Sequence, residues 1–117
     1  MSFETGNLLA AVILFLHAIL FIGIGSWAVR RQAPVHFWAG TTVKSELIKD
    51  IPAYNRANGC MWHVYGSGWI VSALGFLFNT WVGFTLTMLL CTIGIGGLII
   101  TYKKIYKKYI VDNGVEK

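Results

Sequence analysis

The feature that most constrains this chain is a set of three long apolar runs that contain no Asp, Glu, Lys or Arg. They cover residues 8–29, 59–78 and 81–102. Each is close to the roughly 20 residues that an α-helix needs to cross the hydrocarbon core of a bilayer. Because backbone polar groups in lipid must find partners within their own segment, such runs are expected to be helical. The pattern predicts an all-α integral membrane protein with three transmembrane helices.

The composition supports a membrane class. Only 13% of the 117 residues are charged and the mean hydropathy is +0.60, whereas a soluble domain carries about 25% charged residues. So short a chain cannot hide this much apolar surface from water. These values exclude a disordered chain, a coiled coil and a disulfide-rich module, and they predict a single transmembrane domain over 1–117 that is not an enzyme. The first run has no basic segment before it, so we expect it to be retained rather than cleaved as a signal peptide.

The distribution of basic residues predicts an orientation. All ten Lys and Arg residues lie either in residues 30–58 or in residues 103–117. The only charged residue before the first run is Glu4. The positive-inside rule makes both basic segments cytoplasmic. We therefore expect a multi-pass protein of a bacterial cytoplasmic (inner) membrane, with the N-terminus outside, a cytoplasmic elbow (residues 30–58) and a basic cytoplasmic tail (residues 103–117).

The two connections differ in length and in expected structure. The connection at residues 79–80 is so short that the second and third runs should form an antiparallel helical hairpin. In the elbow, Pro52 suits the first position of a helix with Asp50 or Ile51 just ahead of it, so the second helix should begin there and continue into the membrane. Before it, Val43, Leu47, Ile48 and Ile51 recur at helical spacing, which predicts a short amphipathic segment at the membrane surface.

The tail has an aromatic face and a basic face that are typical of a lipid anchor. Rings at headgroup level and lysines that reach lipid phosphates would bind anionic headgroups. Since this location already explains the charge, we expect no nucleic-acid partner. We expect residues 112–117 to fray. The anchor residues are Tyr102, Tyr106 and Tyr109 on one face and Lys103, Lys104, Lys107 and Lys108 on the other.

Small residues predict close helix packing. On the second run Gly59, Gly66 and Ala73 repeat every seven residues, and small side chains let helix backbones approach closely. The favoured interpretation is packing within one subunit, and a homo-oligomer is the alternative. The third run also has small residues that gather on one side of the helix. They are Gly83, Thr87, Gly94, Gly97 and Thr101.

Few side chains in the runs can do chemistry. His17 lies near the middle of the first run, where an ionisable residue marks a candidate functional site; the alternative is a structural hydrogen bond to a neighbouring helix. Cys60 and His63 are three residues apart and could share a soft metal. The helical rise, however, places His17 about 12 Å deeper than His63, so we expect no metal site. The sequence has no recognisable catalytic motif and predicts no cofactor.

The elbow carries the most distinctive motifs. A polar cluster lies at the start of the second run and consists of Tyr54, Asn55, Arg56 and Asn58. Asn55 lies on the packing face, and Arg56 can pair with Asp50, Glu46 or a lipid phosphate. The cluster is either a folded elbow that fixes the helix angle or a site for a ligand or partner.

These motifs resemble those of a known group of proteins. The segment Phe37–Trp38–Ala39–Gly40, the pair Lys49–Asp50, and Tyr54–Asn55–Arg56–Ala57–Asn58–Gly59 followed by Trp62 resemble small bacterial membrane proteins of unknown function. Those proteins are distantly similar to the C-terminal helices of SdpI-type toxin-immunity proteins. This chain has Gly40–Thr41–Thr42 where the SdpI loop typically has Arg-Thr-Pro. The resemblance implies a bacterial inner membrane and no catalytic residues.

Two functions follow as expectations. The first is a non-enzymatic protein that acts by interaction, as an immunity, regulatory or accessory subunit whose partner is another membrane protein. The second is an oligomeric, holin-like pore, channel or small transporter, whose partner is a further copy of the same chain.

Overall fold

The described part of the chain is almost entirely helical. The computed structural model describes residues 3–36 and 44–111, which contain no β-strand. The expected all-α class is therefore confirmed for these residues. The helical segments are α1 (Phe3–Arg30), a 3₁₀ turn (Ser45–Leu47), α2 (Ile51–Phe78), α3 (Thr80–Leu89), a π-helical turn (Leu90–Gly94) and α4 (Ile95–Tyr109).

The start of α2 follows the sequence signals. Pro52 lies in its first turn, where a missing N–H costs nothing. The Asp50 side chain accepts a hydrogen bond of 3.1 Å from the Ala53 N–H and so caps the helix. The predicted start near Pro52 is confirmed.

A single non-helical residue connects α2 to α3. The Asn79 N–H makes the last helical hydrogen bond of α2, to the Gly75 carbonyl at 2.9 Å, and the extended backbone of Asn79 ends the helix. The Asn79 side chain then accepts from the Trp81 N–H at 2.8 Å and caps α3. The antiparallel hairpin predicted from this short connection is confirmed.

The segment before α2 is not an amphipathic helix. It forms only the 3₁₀ turn, and Ile48 pairs with Ile110 in an antiparallel bridge. The Lys49 N–H donates to the Tyr109 carbonyl at 2.8 Å, and the Val111 N–H donates to the Leu47 carbonyl at 2.6 Å. The helix expected from the spacing is therefore wrong, because the backbone of this segment bonds to the end of α4. The position of the segment at a membrane surface stays a prediction. Val43 lies outside the described residues.

The small face of α2 packs against α1 within one chain. A Cβ atom at Gly59 would come within 2.7 Å of the Gly25 carbonyl oxygen, and one at Gly66 within 3.2 Å of the Ala18 carbonyl oxygen. Ala73 is buried in the cluster that also contains Ala11. The interpretation as an intrachain packing face agrees with this arrangement.

The small residues of the third apolar run face α2 but pack closely against it only in part. Gly83 lies against Phe76 and Gly94 against Tyr65, whereas a Cβ at Gly97 would meet nothing within 4 Å. Gly97 instead lines an open groove beside α2, together with Gly94 and Thr101.

Two stretches of helix are long and apolar enough to cross a membrane. They cover Glu4–Arg30 in α1 and Thr80–Tyr109 across α3, the π-helical turn and α4. Only 22% and 6% of their most apolar windows are buried in the protein. Their outward faces are therefore apolar and uncovered, as membrane association requires.

Candidate functional site

The elbow is organised around a second buried cluster, separate from the one between α1 and α2. It joins the end of α1, the start of α2 and the end of α4. We call it the elbow core; its buried members are Ala28, Val35, Ile48, Tyr54 and Tyr102.

Asn55 holds the connection that follows α1. The side chain is 0% exposed. Its Oδ1 accepts from the Val35 N–H at 3.0 Å, and its Nδ2 donates to the carbonyls of Arg31 and Ala33, both at 2.9 Å. An amide is suited to this position because it offers a donor and an acceptor together. Asn55 thus satisfies backbone groups that the turn away from α1 leaves without helical partners.

Tyr54 connects the same segment to α4. Its hydroxyl donates to the Val35 carbonyl at 3.0 Å and shares a hydrogen bond of 3.1 Å with the Tyr102 hydroxyl. Burial, together with the Tyr102 hydroxyl, raises the pKa of Tyr54 well above its ordinary value. The phenol is therefore held neutral, which suits a structural hydrogen bond.

The other two polar residues of the cluster differ in exposure. Asn58 is 0% exposed, and its Nδ2 donates to the Tyr54 carbonyl in its own helix at 2.9 Å. Its Oδ1 has no hydrogen-bond partner among the described residues. Arg56 is exposed and forms no ion pair with any described residue, including Asp50 and Glu46.

His17 lies on the outer surface of α1. Its Nδ1 is 2.8 Å from the Ile13 carbonyl oxygen in the same helix, and its ring stacks on Trp69 of α2 at 5.1 Å between centroids. The residue is exposed despite this stacking. The hydrogen bond is thus made within α1, not to a neighbouring helix as the structural alternative supposed.

His63 and Cys60 face different surroundings. The His63 Nε2 lies 3.1 Å from the Ser26 hydroxyl on α1. Cys60 is exposed and faces a groove beside α4, and both cysteines are free thiols. The described residues contain no group of three potential metal ligands.

The aromatic and basic faces of the tail are present in α4, but the tyrosines contact protein. Tyr102 is buried in the elbow core, and the Tyr109 ring lies edge-on to Tyr54 at 6.3 Å. Tyr106 is half-buried against the same cluster. These rings therefore pack against the elbow core, and their position at headgroup level stays a prediction. The lysines are all exposed: Lys103, Lys104, Lys107 and Lys108.

An apolar groove between α2 and α4 is a feature that the sequence did not reveal. It has a volume of about 460 Å³. The π-helical turn lies at its inner end, where the Tyr65 hydroxyl donates to the Leu90 carbonyl at 3.0 Å. The turn was not recognisable from residue types, so the sequence offered no signal for the groove. We call it the α2/α4 groove; its lining residues are Ala57, Cys60, Met61, Val64 and Tyr65 of α2 and Gly94, Gly97, Leu98 and Thr101 of the other wall.

Two of the segments singled out in the sequence lie outside the described residues. They are the aromatic and glycine-containing part of the resemblance, residues 37–43, and the tail end, residues 112–117.

No family model matches the chain, and neither the curated proteins nor the solved structures include a significant match.

Proposed function

We propose that the chain crosses the cytoplasmic membrane of a bacterium three times, with its N-terminus outside and its C-terminus in the cytoplasm. The support is the pairing of α2 with α1, which extends from Gly59 and Gly25 at one end to Ala73 and Ala11 near the other. Beyond that end, the Thr80 hydroxyl donates to the Asn7 side chain at 2.8 Å. A helix that accompanies a membrane-spanning helix over this length crosses with it, and the positive-inside rule supplies the direction.

The position of α2 explains why it is less apolar than its neighbours. It packs against α1 on one side and against α3 and α4 on the other, so much of its surface meets protein instead of lipid. Residues such as Ser72, which is 0% exposed, are therefore compatible with a membrane position. The molecule is 59 Å long, about twice the thickness of a hydrocarbon core, and this length lets the elbow extend into the cytoplasm.

We further propose that the protein acts without catalysis, by binding another membrane protein through the elbow, as an immunity, regulatory or accessory subunit. The observation that carries this proposal is the triple hydrogen bonding of Asn55 to the connection after α1. A surface held in one conformation loses less entropy when it binds a partner. The resemblance to SdpI-type immunity proteins supports the same class. Among the described residues, the exposed charged side chains of the elbow are Arg30, Lys44, Glu46, Lys49, Asp50 and Arg56.

Site-specific photo-crosslinking in cells tests the elbow as a docking surface. A benzophenone side chain at Lys49 should yield one discrete adduct with a different protein, and Asn55→Ala should reduce that adduct. The same probe at Thr85, which is exposed in the middle of α3, is the control and should give no such adduct. Adducts at Lys49 only with further copies of this chain would contradict the proposal.

An oligomeric pore or channel is the second candidate, and the exposed position of His17 favours it. An imidazole on the outer face of an apolar helix is costly in lipid, and a second copy of the chain could cover it. Induced expression should then collapse the membrane potential, and His17→Leu should abolish the collapse. Leu16→Ala, a change at an exposed neighbour, is the control; an unchanged potential with the unmodified chain would reject the pore.

A further inference from the structure

We propose that the α2/α4 groove binds one acyl chain of an anionic phospholipid of the inner leaflet, with the phosphate held between Arg56 and Lys104. The proposal rests on the topology proposed above, because that topology places the groove in the cytoplasmic half of the membrane. It goes further by assigning the groove a ligand of defined charge.

The walls of the groove suit a hydrocarbon chain. They are almost entirely apolar, and the volume between them is about 460 Å³. The α4 wall runs from Gly94 to Thr101, about 10 Å along the axis at 1.5 Å per residue. Half of a bilayer's hydrocarbon core is about 15 Å thick. The groove is therefore long enough to hold most of a chain that descends from the inner surface.

The exposed edge of each wall ends in a cation on the elbow side. On α2, Arg56, Cys60 and Val64 are all exposed and lie four residues apart, so they form one stripe along the helix. On α4, the exposed rim residues Gly97 and Thr101 continue to Lys104.

Each of the two cations lies two residues from a tyrosine of the elbow core, and both are available for a ligand. The hydrogen bond between the Tyr54 and Tyr102 hydroxyls joins the two helices in this region. Arg56 and Lys104 are exposed, and neither pairs with a carboxylate among the described residues. An apolar groove that ends between two positive side chains is complementary to a phospholipid with a net negative headgroup. A zwitterionic lipid would offer the same chain and a weaker electrostatic attraction.

Thiol protection provides the test, because Cys60 lines the groove and Cys91 does not. The full chain in mild detergent is treated with N-ethylmaleimide, with phosphatidylglycerol, phosphatidylcholine of identical chains, or oleate added. Lipid at ten times its dissociation constant leaves the groove free about a tenth of the time, so alkylation of Cys60 should slow about tenfold with phosphatidylglycerol. Alkylation of Cys91 should not change.

Paired variants separate the groove and its cations from general effects of charge and packing. Arg56→Gln with Lys104→Gln should remove the preference for phosphatidylglycerol. Lys103→Gln with Lys107→Gln should retain it, because this pair loses the same charge at two lysines that lie farther round α4 from the groove residue Thr101. Gly97→Leu should fill the groove and abolish protection. Gly96→Leu is the matched control, because a Cβ at either glycine meets nothing within 4 Å and Gly96 does not line the groove.

Three results would overturn the proposal. Equal protection of Cys60 by phosphatidylcholine would remove the role of the anionic headgroup, and equal protection by oleate would make the ligand a fatty acid. Equal loss of the preference for phosphatidylglycerol in both double variants would show that the positions of Arg56 and Lys104 beside the groove do not determine lipid binding. None of these results depends on the number of membrane crossings, so the topology stands or fails separately.

Discussion

At the scale of single residues, Asn55 and Asn58 show how similar side chains differ in their contribution. Both are 0% exposed. The Asn55 amide bonds to three backbone groups of another segment, whereas the Asn58 amide donates to the Tyr54 carbonyl one turn earlier in its own helix. Removing Asn55 therefore leaves backbone groups unpaired in the interior, but removing Asn58 does not.

Asn55→Ala should destabilise the fold much more than Asn58→Ala. Each buried polar group left without a partner costs about 1–3 kcal/mol, so the loss at Asn55 should be several times that at Asn58. Reversible unfolding in mixed detergent micelles, followed by tryptophan fluorescence, measures both. Equal losses in the two variants would show that the hydrogen bonds of Asn55 do not hold the elbow.

Tyr54 makes the stability of the elbow sensitive to alkaline pH. Burial and the Tyr102 hydroxyl raise the pKa of Tyr54 in the folded state above its ordinary value of 10.0. The unfolded phenol ionises first, so the contribution of Tyr54 is complete below that value and is lost as the pH rises above it.

Between about pH 8 and pH 10 the contribution of Tyr54 should therefore stay nearly constant, and above about pH 10 the free energy of unfolding should fall. Tyr54→Phe should be less stable at the lower pH and should show a shallower fall. A slope identical in the two proteins would assign the pH dependence to other tyrosines.

At the scale of elements, the contact between α1 and α2 depends on the absence of side chains. A Cβ at Gly59 would approach the Gly25 carbonyl oxygen to 2.7 Å, closer than real Cβ contacts, whereas a Cβ at Gly96 has open space. The same substitution should thus have opposite effects at these two helical glycines.

Gly59→Ala should push the two helices apart and reduce stability, and Gly96→Ala should increase stability by up to about 1 kcal/mol because alanine restricts the unfolded chain. Thermal unfolding followed by circular dichroism compares the two. A neutral Gly59→Ala would mean that α1 and α2 are not in close contact at this point.

The π-helical turn is the second element whose stability can be tested. The Tyr65 hydroxyl donates to the Leu90 carbonyl within this turn, and a π-helical turn disturbs the regular backbone hydrogen bonding of a helix. Tyr65→Phe should cost about 1 kcal/mol, measured by the same unfolding experiment. Tyr106→Phe removes a hydroxyl that makes no such hydrogen bond among the described residues, so it should change the free energy of unfolding less than Tyr65→Phe does.

At the scale of the whole molecule, the number of membrane crossings determines whether the two termini lie on the same side of the membrane. In a cysteine-free background, Glu4→Cys and Asn79→Cys should react with an impermeant maleimide added outside intact cells. Lys107→Cys should react only after permeabilisation. This pattern requires three crossings with the N-terminus outside.

Two crossings would give a different pattern. If α2 remained in the cytoplasm, Asn79→Cys would be protected and Lys107→Cys would react from outside together with Glu4→Cys. That result would reject the three-span topology while leaving the contacts of the elbow unaffected.

Local signals made a large part of the fold predictable. The start of α2 depends on Asp50 and Pro52, which act within one turn, and the hairpin depends on a connection too short for any alternative. The burial of Asn55 was predictable from its spacing to Gly59 and Gly66. Its hydrogen bonds were not, because they depend on how the chain turns after α1.

The sequence by itself determined the helical class, the two strongly apolar stretches and the clustering of basic residues, because each follows from which residues are neighbours along the chain. The bridge between Ile48 and Ile110, the burial of Tyr102 and the α2/α4 groove were decided only by the tertiary structure. They depend on how α4 packs beside α2 and on where its end meets the elbow. Those are relations in space between segments that are distant in sequence, and they come from packing rather than from local pattern.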